Sequence, residues 1–155
     1  LSIIDKVIEY SKLERKYAEE LKTMAESIKH PVLRALFLSI SQDSLKHSLM
    51  YEAITQLLEQ TQPFITIEEL RKITTTIEKH IETEIKMLEE AKKIFSTSQD
   101  PRVKLITAAI INDEINHHIL LLDIKKRIAE EEALTEEKIW DMIWKESPWH
   151  GTPGG

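Results

Sequence analysis

Shifted by 70 residues, the chain aligns with itself without a gap. Glu14 falls on Glu84, Lys16 on Lys86, Lys22 on Lys92, Pro31 on Pro101, Ile40 on Ile110, Asp43 on Asp113, His47 on His117 and Ile54 on Ile124. A unit repeated in this way has to be one supersecondary element used twice. Within each unit, apolar residues recur at spacings of three and four, and no stretch sustains the two-residue alternation of a half-buried strand. The repeat is therefore a helical hairpin, and the chain is expected to be all-α: a four-helix bundle made of two hairpins. Each hairpin bends at its proline, which cannot continue a helix interior but suits the first turn of the next helix.

The core lines follow from the heptad spacing. Helix A, over residues 2–28, carries Ile4, Val7, Ser11, Glu14, Ala18, Leu21, Ala25 and Ile28. Helix B begins at Pro31 and ends at residues 60–63, with the line Leu33, Phe37, Ile40, Ser44, His47, Tyr51, Ile54 and Leu58. Helix C centres on Ile77, Ile81, Glu84, Leu88, Ala91 and Phe95, and closes in the polar stretch 96–100. Helix D carries Val103, Ile110, Glu114, His117, Leu121, Ile124 and Ile128. All four lines turn polar at mid-helix. The stretch 60–76 admits two readings. In one, Thr66 with Glu69 caps a short helix and Thr75 with Glu78 restarts helix C, which permits a crossover. In the other, Ile67, Leu70, Thr74, Ile77 and Ile81 belong to one uninterrupted helix, favouring an up-and-down bundle or the exchange of hairpins between two chains.

Residues i and i+3 share a helix face, so Glu114-x-x-His117 presents a carboxylate and an imidazole together. Its repeat mate is Ser44-x-x-His47, in which the histidine is kept and serine replaces the carboxylate. Glu14 and Glu84 each precede their motif by the same interval. Carboxylates and imidazoles projecting inward from four helices are the donor set of a two-metal centre. The candidate ligands are thus Glu14, His47, Glu84, Glu114 and His117, with Ser44 in the sixth position. A solvated face is the usual place for a helical glutamate; the shared register and the repeat argue for the interior. Tyr17, Tyr51 and His118 lie beside these positions and are candidates for contacts that orient the ligands, with core packing and surface exposure as their plain alternatives.

Composition narrows the chemistry. The chain of 155 residues is long enough for one sizeable core. It has no cysteine, which excludes thiolate nucleophiles, disulfides and iron–sulfur ligands, so any metal sits on nitrogen and oxygen. With 27 acidic against 21 basic residues it lacks the basic stripe that nucleic acid requires. No apolar run approaches a membrane span and the N-terminal segment is amphipathic, so a cytoplasmic protein is expected. Residues 1–130 read as the bundle and residues 131–155 as an extension. In that extension Leu134-Thr135 reads as a helix start, and Ile139, Trp140, Ile143 and Trp144 form an apolar strip on a short C-terminal helix. That strip would pack on the bundle or on a second subunit. No role follows for Trp149 and His150.

In Glu14…His47, in Glu84…Glu114-x-x-His117 and in the order of its helices, the sequence over residues 2–130 resembles the ferritin-like superfamily, particularly its rubrerythrin-type branch. The resemblance implies a non-haem centre of two iron ions, or one, with manganese or zinc as alternatives. It also implies an oxidoreductase acting on peroxide or dioxygen, or one that oxidises ferrous iron. Glu14 and Glu84 would be terminal or bridging carboxylates, Glu114 the bridge, and His47 and His117 one imidazole per ion; beyond these ligands no catalytic residue is expected. Ser44 would leave room for water or substrate. Without cysteine there is no rubredoxin-type domain, so an external electron donor is required. Two other functions compete: a non-catalytic oligomerisation or interaction module that keeps a degenerate metal site, and iron storage. A homo-oligomer is expected, with a dimer, hairpin-swapped or not, favoured.

Overall fold

The structure is a computed structural model that describes the backbone of residues 2–60 and 65–146 and the side chains of residues 2–60 and 65–130. The described residues are all-α and form four helices: α1 (Ile3–Ser27), α2 (Pro31–Glu59), α3 (Ile67–Thr97) and α4 (Pro101–Glu146). They form two units, Leu1–Pro63 and Phe64–Gly155. Each unit is an antiparallel hairpin, α1 against α2 and α3 against α4. The hairpin repeat read from the sequence is thus present, with Pro31 and Pro101 as the first residues of α2 and α4. No helix among the described residues is long and apolar enough to cross a membrane.

Capping fixes the helix ends. In α1, Ser2 Oγ accepts from the Asp5 amide while the Asp5 carboxylate accepts from the Ser2 amide. In α3, Thr66 and Glu69 form the same reciprocal pair at 3.1 and 3.0 Å, satisfying two donors that the first turn leaves unpaired. Thr66 therefore caps a long, continuous α3. Thr75 lies inside that helix and donates to the Arg71 carbonyl at 3.1 Å, so it starts nothing. The two readings of residues 60–76 each supply a part, the Thr66 cap from one and the unbroken line from the other. At the start of α4, Asp100 Oδ1 accepts from the Arg102 amide at 2.9 Å. Lys104 reaches back to the Phe95 carbonyl at 2.6 Å and lies over the Phe95 ring, 4.4 Å from its centroid, closing the end of α3.

The α1–α2 seam is built from small residues. Val7, Ser11, Ala18 and Ala25 are buried on α1, and Ser41 and Ser48 on α2. Ser41 Oγ donates to the Ala18 carbonyl at 2.6 Å, and Ser11 Oγ donates to the Ser48 carbonyl at 3.1 Å. Backbone acceptors within reach of a seryl side chain on the neighbouring helix mean that the two helices approach closely. At the edge of the seam Arg15 pairs with Glu52 at 2.7 Å. The line expected for helix A is thus buried or half-buried throughout. Of the line expected for helix B, Phe37, Ser44 and Tyr51 are half-buried while Leu33, Ile40, Ile54 and Leu58 are exposed, and it is the Ser41–Ser48 row that α2 turns toward α1. Close approach selects the row without bulk.

One correction concerns the extension. The short C-terminal helix expected after residue 134 is not a separate element, because α4 continues without interruption to Glu146. The segment Ala129-Glu-Glu-Glu-Ala-Leu contains no glycine or proline and consists of strong helix formers, so nothing breaks the helix there. The side chains of Ile139, Trp140, Ile143 and Trp144, and the residues Trp149 and His150, lie outside the described residues.

Candidate metal centre

In the second hairpin α3 supplies Glu84 and α4 supplies Glu114 and His117, one helical turn apart. One ligand atom from each of the three lies within 4.8 Å of the other two. Glu84 Oε1 stands 3.7 Å from His117 Nδ1, too far for a direct hydrogen bond. Glu84 Oε2 is buried with no hydrogen-bond partner, although the Glu84 side chain as a whole keeps 16% of its exposure. Among the described residues no lysine or arginine pairs with Glu84 or Glu114. A carboxylate oxygen withdrawn from water, beside a second carboxylate and without a donor, is costly until a cation is supplied.

The donor chemistry fits a divalent transition ion, since two carboxylates and one imidazole suit iron, manganese or zinc. Atoms bound at about 2.1 Å to one ion can lie at most about 4.2 Å apart, so a small side-chain adjustment closes the group around a single cation. The His117 side chain, 53% exposed, faces the open side of the hairpin and leaves access to solvent.

The first hairpin repeats this arrangement with one part missing. Glu14 Oε1 lies 3.6 Å from His47 Nδ1, the same relation as between Glu84 and His117. The third place belongs to Ser44, half-buried and short of a carboxylate. Glu14, His47 and Tyr51 line one open cleft together with Met50 and Ile54. Tyr51 packs obliquely on Tyr10, ring centroids 5.7 Å apart, and Tyr17 is exposed.

The five residues singled out from sequence are therefore brought together as a pair, Glu14 and His47, and a trio, Glu84, Glu114 and His117, each within its own hairpin. His118 is half-buried, with Nδ1 lacking a partner. It occupies the repeat position of Ser48, in the row that α4 turns toward α3. The polar link from Ser11 to Ser48, with Glu52 at 3.4 Å from Ser11, escapes the sequence reading. The signal for it was the seven-residue spacing of Ser41, Ser48 and Thr55, a second row beside the bulkier one.

Helices of this kind, carrying one carboxylate and one Glu-x-x-His, define the class: an all-α protein with a candidate carboxylate and histidine metal group. Comparison with known proteins finds no matching family model, curated protein or solved structure.

Proposed function

We propose that this chain is a metal-binding helical protein of the ferritin-like kind, in which Glu84, Glu114 and His117 hold iron, or manganese or zinc in its place. The observation that carries the reading is the convergence of these three ligands, one of which, Glu84, carries a buried oxygen without a hydrogen-bond partner. Bound iron would supply one-electron chemistry toward peroxide or dioxygen, or would itself be oxidised from the ferrous state. The chain's own part is to hold the cation on fixed donors. Glu84 is anchored from α3, Glu114 and His117 are fixed one turn apart on α4, and the exposed imidazole edge leaves a path for a small oxidant. An external donor would supply the electrons.

The test is metal analysis of the protein after aerobic and anaerobic loading with Fe(II), Mn(II) and Zn(II), together with the Glu84→Gln and Glu114→Gln variants. Retention of metal by the native chain and its loss in both variants is the expected result. Absence of any bound metal in the native chain sinks the proposal. Decay of added hydrogen peroxide by the iron-loaded chain then separates an oxidoreductase from the second reading, a non-catalytic interaction module. Serine at position 44 and the exposed apolar rows favour that second reading. Iron taken up far beyond the number of ligand groups would instead mark storage.

A further inference from the structure

The trio on α3 and α4 has the composition of half a two-metal centre. Four-helix sites of the carboxylate type take one glutamate from each of two helices and a Glu-x-x-His from each of the other two. One hairpin here supplies one of each, as Glu84 and Glu114-x-x-His117. We infer that two copies of this chain pair face to face through α3 and α4 about a two-fold axis, so that both trios close around two metal ions. The inference rests on the metal reading above and names the partner that completes the site.

Three observations support a second copy as the occupant. The first is charge. Two trios contribute four carboxylates and two neutral imidazoles, which balance two divalent cations, whereas the Glu14 and His47 pair offers a single carboxylate because Ser44 stands where the other would be. The second is the surface around the ligands. Ile73, Met87 and Ile94 share a heptad row on α3 that runs beside Glu84, and Val103 and Ile110 on α4 continue the row of His117 at heptad spacing. All five are exposed, Met87 by 52% and Ile94 by 48%. Exposed apolar rows that run through His117 and beside Glu84 are seams for another helix pair. The third is size. The 31 residues of α3 span about 46 Å. A two-helix face of that length, about 20 Å wide, offers roughly 900 Å² per copy, what a stable interface takes from each partner.

The experiment is native mass spectrometry of the full chain with Mn(II), paired with sedimentation at several metal concentrations. A dimer carrying two ions is expected. It should persist in the Glu14→Gln/His47→Gln variant and be lost in Glu84→Gln/His117→Gln, with circular dichroism confirming helix content in both. A third variant, Ile110→Asp, leaves every ligand in place and should weaken Mn(II) binding by roughly 100-fold as the dimer dissociates. One ion per monomer at saturation, lost in Glu84→Gln/His117→Gln, would overturn the inference and leave the metal reading standing. So would native affinity in a monomeric Ile110→Asp chain. Loss of metal from Glu14→Gln/His47→Gln would mean that the first hairpin completes the site, which also overturns it. No bound ion in the native chain removes the metal reading and the inference together.

Discussion

Ser48 shows how much a single small side chain decides. It is fully buried, its carbonyl receives the Ser11 hydroxyl, and its place on α2 sets how near α1 can come. Leucine at this position overpacks the seam and should cost about 1–3 kcal/mol or more in urea unfolding; an unchanged midpoint would mean that the helices stand farther apart than described. Asp100 gives a second prediction. Hydrogen bonds from the Arg102 guanidinium and the Arg102 amide pull its carboxyl down from the usual 3.8 to about 2. A carboxyl whose folded value is depressed contributes stability that is complete above the ordinary value and lost as pH falls through the depressed one. Native chain should therefore lose thermal stability between about pH 3.8 and 2 more steeply than Asp100→Asn, and parallel melting curves would refute the assignment. Among the ligand candidates, Glu114 and His117 were legible as a pair because one helix fixes their spacing, and Glu84 through the repeat that sets it on Glu14. Ser48 was not. Its spacing with Ser41 and Thr55 marks a row, but a row of small polar residues reads as solvated until the neighbouring helix is in place.

At the scale of the element, most boundaries were readable because proline and capping residues mark them chemically. Pro31 and Pro101 start α2 and α4. Residues 60–76 were harder, since Thr66 and Thr75 each stand three residues before a glutamate. The structure gives the cap to Thr66, where both reciprocal bonds form, and leaves Thr75 in mid-helix. The two threonines should then respond oppositely to alanine. Thr66→Ala loses a cap and costs about 1 kcal/mol, while Thr75→Ala gains helix propensity at an exposed site and should be neutral or stabilising by a few tenths of a kcal/mol. Chemical denaturation of the two variants checks this, and a reversed order would place the helix start at Thr75. Past residue 130 a cap-like threonine misled for a related reason. Thr135 resembles a start, but with no breaker before it a helix already under way continues through it.

For the whole molecule the question is what covers the rows that each hairpin leaves open. Among the described residues the buried apolar side chains are Val7, Ala18, Ala25, Leu70, Ile77 and Ala91, three of them alanine, while Ile40, Leu57, Met87, Leu105 and Ile119 are among the many exposed. Two helices joined along a seam of small residues bury too little apolar surface to offset the ordering of their backbone. Heptad spacing made these rows legible, yet it reports only that a row is apolar and never which surface meets it. That is why the expected core line of α2 named an apolar row, while the row that meets α1 is the one of Ser41 and Ser48. If a second copy covers the α3–α4 rows, folding and association are one equilibrium and the melting temperature depends on chain concentration. A tenfold dilution changes the association term by about 1.4 kcal/mol. With an unfolding entropy of roughly 2.1 cal/mol/K per residue over two chains, the midpoint should fall by about 2 °C. Calorimetry across a hundredfold range of chain concentration, with Mn(II) present, should then show a drop of about 4 °C, and the Ile110→Asp chain should show a lower midpoint with no such drop. A native midpoint that stays constant across the range would mean that the rows are covered within a single chain.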